Sequence, residues 1–178
     1  MSGHNKWSKI RRQKAGTDAA KSKIFSKLAR AISIASKQVN GDKNSAVLHT
    51  AIEKAHEYNM PSDNIERAIK KGSGSDMEAL ESITYEAYGP GGSALIIEAL
   101  TSNRNKAAQE IKFILSERGF SLAAPGSATW AFKRDQTTNN LQPTAVIKVS
   151  EEDERALEKL IEELEDNDEV QEVYTNAE

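Results

Sequence analysis

The side chains in this sequence best equipped for chemistry are cations, and they are bunched. Within the first 46 residues Lys6, Lys9, Arg11, Arg12, Lys14, Lys21, Lys23, Lys27, Arg30, Lys37 and Lys43 stand against only Asp18 and Asp42, a local charge near +9 in a chain of net charge −3. Lys and Arg at this density neutralise phosphates and release their counterions. Trp7 adds an aromatic face on which an unpaired base can stack. Lys6, Trp7, Lys9, Arg11, Arg12, Lys14, Lys21, Lys23, Lys27 and Arg30 are therefore the candidate contacts to a nucleic acid, DNA or RNA. The competing reading is a solvated charged face with Trp7 pinned to a small core. The other end is the reverse: Glu151–Glu178 holds thirteen acids against Arg155 and Lys159. That segment is either the soluble side of a packed helix or an element that keeps a polyanion at the basic end.

Other constellations are weaker. Asn103-Arg104-Asn105-Lys106 opens a helical pattern, where free N–H groups and the helix dipole favour an anion. Arg104 and Lys106 thus extend the candidate footprint, against a simpler reading in which Asn103 is only a cap. Gly89-Pro90-Gly91-Gly92 lacks the Lys-Ser/Thr of a phosphate-binding loop and falls between two strand patterns, so a turn explains it better. His49, Glu53 and His56 share one side of a helix, but no third strong ligand is near, so no metal site is expected. The sequence has no cysteine, which excludes thiolate chemistry and disulfides. With no Ser-His-Asp or nucleophile-elbow pattern, neither an enzyme, a cofactor nor a small-molecule substrate is expected. No helix-turn-helix, zinc-finger or RNA-recognition signature accompanies the cations. No apolar run approaches the roughly 20 residues of a membrane span, and the basic start has no apolar stretch of a secretory signal. A cytoplasmic protein with no membrane partner is expected.

These residues must be positioned by helices first and by a sheet later. Residues 1–16 lack periodicity and read as a basic arm. From Thr17 or Asp18, Ile24, Phe25, Leu28, Ile32 and Ala35 recur at helical spacing, with Lys23, Lys27, Arg30 and Lys37 directed away from that stripe. A second helix starts at Asn44 or Ser45 and ends before Pro61, and a short third, capped by Ser62, runs to Lys71. Gly72-Ser73-Gly74-Ser75-Asp76 marks a boundary, dividing a basic arm and helical bundle (1–72) from a second domain (77–178). In that domain the period shifts towards two over 83–88 and 94–100. A helix follows from Asn103 to Gly119, then strands at 127–132 and 145–149, a helix over 151–164 and a strand at 170–174. The expected fold is α+β: a three-helix domain followed by a two-layer sandwich, an antiparallel or mixed sheet with two helices on one face.

Five ordered strings carry a resemblance. They are Met1-Ser2-Gly3-His4-Asn5-Lys6-Trp7-Ser8-Lys9-Ile10, Lys23-Ile24-Phe25-Ser26-Lys27-Leu28, Ala87-Tyr88-Gly89-Pro90-Gly91-Gly92, Thr101-Ser102-Asn103-Arg104-Asn105-Lys106, and the stretch from Leu164 to Tyr174. Together they resemble the YebC family, whose members are often named probable transcriptional regulators and include a mitochondrial translational activator. The resemblance implies a helical N-terminal domain followed by α/β domains, and regulation linked to nucleic acid or the ribosome rather than catalysis. It also implies a cytoplasmic or mitochondrial-matrix location. One departure stands out. The family usually carries a further small domain between Trp130-Ala131-Phe132 and the last strand-helix-strand unit, and here that gap is only about 133–143. The chain resembles a short form without the inserted third domain.

Overall fold

The structure, a computed structural model, describes residues 16–74, 79–137 and 139–178. The chain divides into two compact units at Ala79/Leu80. The described residues of the first form three helices, α1 (Asp18–Gln38), α2 (Ala46–Glu57) and α3 (Ser62–Ser73). Thr17 caps α1 by accepting from the Ala20 N–H (3.2 Å). Beyond its C-terminus, Asn40 and Gly41 take left-handed backbone (φ 50° and 78°) to turn the chain. The buried stripe of Leu28, Ile32 and Ala35 meets Leu48 and Ala55 of α2 and Ile65, Ala68 and Ile69 of α3. Pro61, not Ser62, occupies the cap position of α3; Ser62 is its first helical residue.

The contact between α1 and α3 is unusually close. Buried Ser33 and Ser36 donate their hydroxyls to the carbonyls of Ala68 (2.9 Å) and Ile69 (2.7 Å). Gly72 permits this: a Cβ there would lie 2.1 Å from the Ser33 carbonyl oxygen and 2.7 Å from the Ser36 Cβ. Two hydroxyls and a missing methyl therefore fix the pose of the helix that carries the basic residues.

The second unit is α+β. Its three-stranded antiparallel sheet has the order β1 (Glu81–Tyr88), β2 (Ala94–Thr101), β5 (Val170–Thr175), and a separate hairpin pairs β3 (Phe132–Arg134) with β4 (Leu141–Pro143). Between β1 and β2, Gly91 sits at φ 65° where a Cβ would meet Val149 at 2.8 Å, so this turn requires glycine. Central β2 is buried along nearly its whole length, because both of its faces are covered. Helices α4 (Arg104–Glu117) and α5 (Glu151–Asp166) pack on one face through Ala107, Ile111 and Leu115 and through Leu157, Leu160, Ile161 and Leu164. On the other, Ala94, Ile96 and Tyr174 cluster with Ala128, Ala131 and Leu141 from the hairpin region. Arg134 ties the hairpin to the sheet through Glu98 (2.7 Å).

Two expected strands are corrected. Residues 127–132 do not form a strand: Thr129–Ala131 is a 3-10 turn and β3 begins only at Phe132. The cause is Glu86, which is buried on β1. Its carboxylate accepts from the N–H groups of Gly126 (2.6 Å), Ala128 (2.7 Å) and Thr129 (3.1 Å), and these donors are then lost to any ladder. Residues 145–149 also fail to become a strand. They make a single parallel bridge, Ile147 to Ala177. The side chain of Asn176, 1% exposed, donates to the Ala145 carbonyl (2.8 Å) and accepts from the Ala94 N–H (2.7 Å), replacing ladder bonds with a side-chain clamp.

Candidate nucleic-acid interface

Lys6, Trp7, Lys9, Arg11, Arg12 and Lys14 lie outside the described residues. The remaining bundle candidates are on α1. Lys23, Lys27 and Arg30, spaced by four and three, form one row that Lys37 continues, about 21 Å from end to end at 1.5 Å per residue. On the helix the row lies opposite the stripe of Leu28, Ile32 and Ala35 that builds the core. Lys21 and Lys37 are exposed, while Lys23, Lys27 and Arg30 are half-buried.

The second unit treats its two candidates differently. Asn103 caps α4 by accepting from the Lys106 N–H (3.1 Å), which removes one donor an anion would use. Lys106 pairs with Glu169 (3.3 Å) and Glu110 (3.8 Å), and Arg104 pairs with Glu81 (3.4 Å). The hydrogen bond that Lys106 donates to Glu169, helped by the charges of Glu169 and Glu110, raises the Lys106 ammonium above its ordinary pKa. Both cations remain exposed, but each already has a carboxylate beside it.

The Gly89–Gly92 turn uses its own donors: the N–H groups of Gly89, Gly92 and Ser93 donate to the carbonyls of Ser93, Gly89 and Pro90. A Cβ at Gly91 would also lie 3.3 Å from the Asp153 carboxylate, so an acid faces the turn. His49, Glu53 and His56 are all exposed on α2. Among the described residues no group of three His, Cys, Asp or Glu side chains is placed to hold a metal. Among them, too, no helix is long and apolar enough to cross a membrane.

Residues 5–75 match the TACO1/YebC protein N-terminal domain, and residues 80–139 and 135–177 match the TACO1/YebC second and third domain. The chain belongs to the TACO1/YebC family. A relative in Thermoanaerobacter pseudethanolicus, called a probable transcriptional regulatory protein, is 37% identical over 239 residues, covering all of this chain and 97% of the relative. One from Pseudothermotoga lettingae with the same description is 52% identical over 137 residues, 75% of this chain and 54% of the relative. In that match the chain spans about half the relative's length. A solved structure of a conserved hypothetical protein from Aquifex aeolicus superposes with a TM-score of 0.78 at 28% identity, covering 92% of this chain and 93% of that one.

An alignment of 239 residues on a chain of 178 leaves at least 61 positions of the Thermoanaerobacter relative without a counterpart here. The two family matches meet at 135–139, which is the turn between β3 and β4. At that turn the Asp135 N–H donates to the Asn140 carbonyl (2.8 Å) and closes the hairpin.

Sequence reasoning overlooked one group of side chains. Trp130 is 60% exposed and Tyr88 37% exposed. The Trp130 indole N–H donates to the Tyr88 hydroxyl (3.0 Å), which in turn donates to the Ser127 carbonyl. The available signal was the alternation of β1, which turns Tyr88 to the same side as Glu86, but nothing local joins that strand to residues 126–130.

Proposed function

We propose that this protein is a non-catalytic, nucleic-acid-binding regulator of gene expression that acts in the cytoplasm as a DNA-binding transcriptional regulator. The observation that carries the reading is the segregation of charge, near +9 before Val47 and near −11 after Ser150. The relatives named probable transcriptional regulatory proteins support its transcriptional form. Phosphate neutralisation by Lys6, Lys9, Arg11, Arg12, Lys14, Lys21, Lys23, Lys27 and Arg30 supplies the affinity, with Trp7 as a stacking group. Arg104 and Lys106 contribute less, since an approaching phosphate must displace Glu81, Glu110 or Glu169.

A second reading, a translation factor on messenger RNA or the ribosome, is favoured by the exposed Trp130 ring, which suits unpaired bases better than a closed duplex. A titration at several salt concentrations against duplex DNA, single-stranded RNA and purified ribosomes tests both. Tight binding to one promoter over scrambled duplex supports transcription. Saturable ribosome binding at physiological salt supports translation. Reversing Lys21, Lys23, Lys27 and Arg30 to Glu should flatten the log–log salt slope by about 0.7 to 0.9 for each phosphate no longer neutralised. An unchanged slope removes α1 from the interface.

A further inference from the structure

We propose that Trp130, held by Tyr88, is a stacking platform for an unpaired nucleobase on the second unit. The proposal rests on the nucleic-acid reading above and specifies its chemistry.

Three observations converge on it. First, the ring is largely exposed. The indole N–H and the Tyr88 hydroxyl satisfy each other and the Ser127 carbonyl, so Trp130 offers a π face rather than a hydrogen-bonding edge. Second, the ring is preorganised. The loop that carries it is gathered onto the buried Glu86 carboxylate through Gly126, Ala128 and Thr129. Glu86 and Tyr88 project from the same side of β1, so a single strand fixes both the loop and the indole. A rigid, exposed aromatic side chain loses little conformational entropy when a base settles on it. Third, the charge of the segment that carries it fits phosphates. Residues 80–178 hold nineteen acids and nine bases, yet from Gly119 to Val149 the only acid is Asp135, against Lys133, Arg134 and Lys148. Arg134 is occupied by Glu98, whereas Lys133 and Lys148 are exposed. A fixed aromatic face in a cation-biased stretch of an acidic unit matches a base with its phosphates. A purely apolar protein partner would have no use for those cations.

The test uses the full chain carrying Trp7→Phe, so that Trp130 is the sole indole. It is titrated with oligo-A and oligo-U RNA, oligo-dA and a duplex DNA of equal length. Expected results are quenching of Trp130 emission by all single strands, strongest for the purine oligomers, and little quenching by duplex. In the same background Trp130→Ala should weaken single-strand binding about tenfold, the scale of losing one stacked base, leave duplex binding unchanged, and be partly rescued by Trp130→Phe. RNA and DNA arms that behave alike identify the unpaired base as the ligand; a loss confined to RNA adds a sugar contact to the same platform.

Unquenched emission when oligomers bind through the arm overturns the platform and leaves the nucleic-acid reading standing. So does equal loss of single-strand and duplex affinity in Trp130→Ala, or emission that changes with protein concentration alone, which would make a second copy the occupant. If the parent chain binds none of the four probes, the platform and the broader reading fall together.

Discussion

Replacing Gly72 by Ala probes the seat of the basic helix. In an ordinary helix this change stabilises by about 1 kcal/mol. Here the new methyl would lie 2.1 Å from the Ser33 carbonyl oxygen and 2.8 Å from its carbon. An ordinary C···O separation is about 3.3 Å, so α3 must retreat from α1 by roughly 1.2 Å. That movement takes the Ser33 and Ser36 bonds, 2.9 and 2.7 Å, close to 4 Å, where they cease to be hydrogen bonds. Two buried hydroxyls lose their partners, at about 1 to 3 kcal/mol each. Set against the helical gain, the net loss is about 3 kcal/mol. Urea unfolding followed by far-ultraviolet circular dichroism measures it, and hydrogen exchange in α1 and α3 assigns it to the first unit, because two units need not unfold together. Gly74→Ala is the control: its Cβ meets nothing closer than 3.5 Å and should change stability by no more than about 0.5 kcal/mol. A Gly72→Ala chain within about 1 kcal/mol of the parent, or more stable than it, would show that the close approach is not what seats α1.

Further predictions concern the second unit. Glu86→Gln keeps the shape but turns an amide N–H towards the donor on one side of the former carboxylate, Gly126 or the Ala128/Thr129 pair; a loss of about 2 to 3 kcal/mol and faster exchange at residues 126–129 are expected, and unchanged exchange there would show that the loop is held by something else. Asn176→Ala frees the Ala94 N–H and the Ala145 carbonyl in a buried place and should cost about 2 kcal/mol, read from the urea midpoint. Arg118 and Glu163 clasp α4 to α5, and the hydrogen bond from Arg118 holds the Glu163 carboxyl below its ordinary pKa. The clasp therefore contributes fully above about pH 4.5, and its contribution is lost as the pH falls below that value through the lower folded-state pKa. An acid titration of Glu163→Gln should show a shallower loss of stability in that range, and a curve parallel to the parent's would count against the clasp.

The parts of the fold that follow from local pattern were legible. The Ile24, Phe25, Leu28, Ile32 and Ala35 spacing, the cap at Asn103 and the alternation of β1 are written into adjacent residues, and so is the α+β order. The errors at 127–132 and 145–149 share a different origin. In each case a buried side chain distant in sequence, Glu86 or Asn176, takes hydrogen bonds that a strand would have needed. Glu86 is polar at an alternating position and reads as solvent-facing until the loop that covers it is in place. Trp130 was hidden for the same reason, since its partner Tyr88 is 42 residues away in sequence. On α1 the basic row could be read directly, because amphipathic spacing gives core and charge together. The pairing of Lys106 with Glu169 could not, because it joins residues 63 apart.

The closed hairpin between β3 and β4 has a use of its own. Asp135 and Asn140 lie within hydrogen-bond reach of each other, so a guest whose own ends are adjacent can enter or leave there with little strain on the strands, and lengthening such a loop carries only a slowly growing entropic cost. That makes it a natural graft point: a fluorescent reporter or affinity module spliced at this turn would mark the molecule while leaving both ends of the polypeptide untouched.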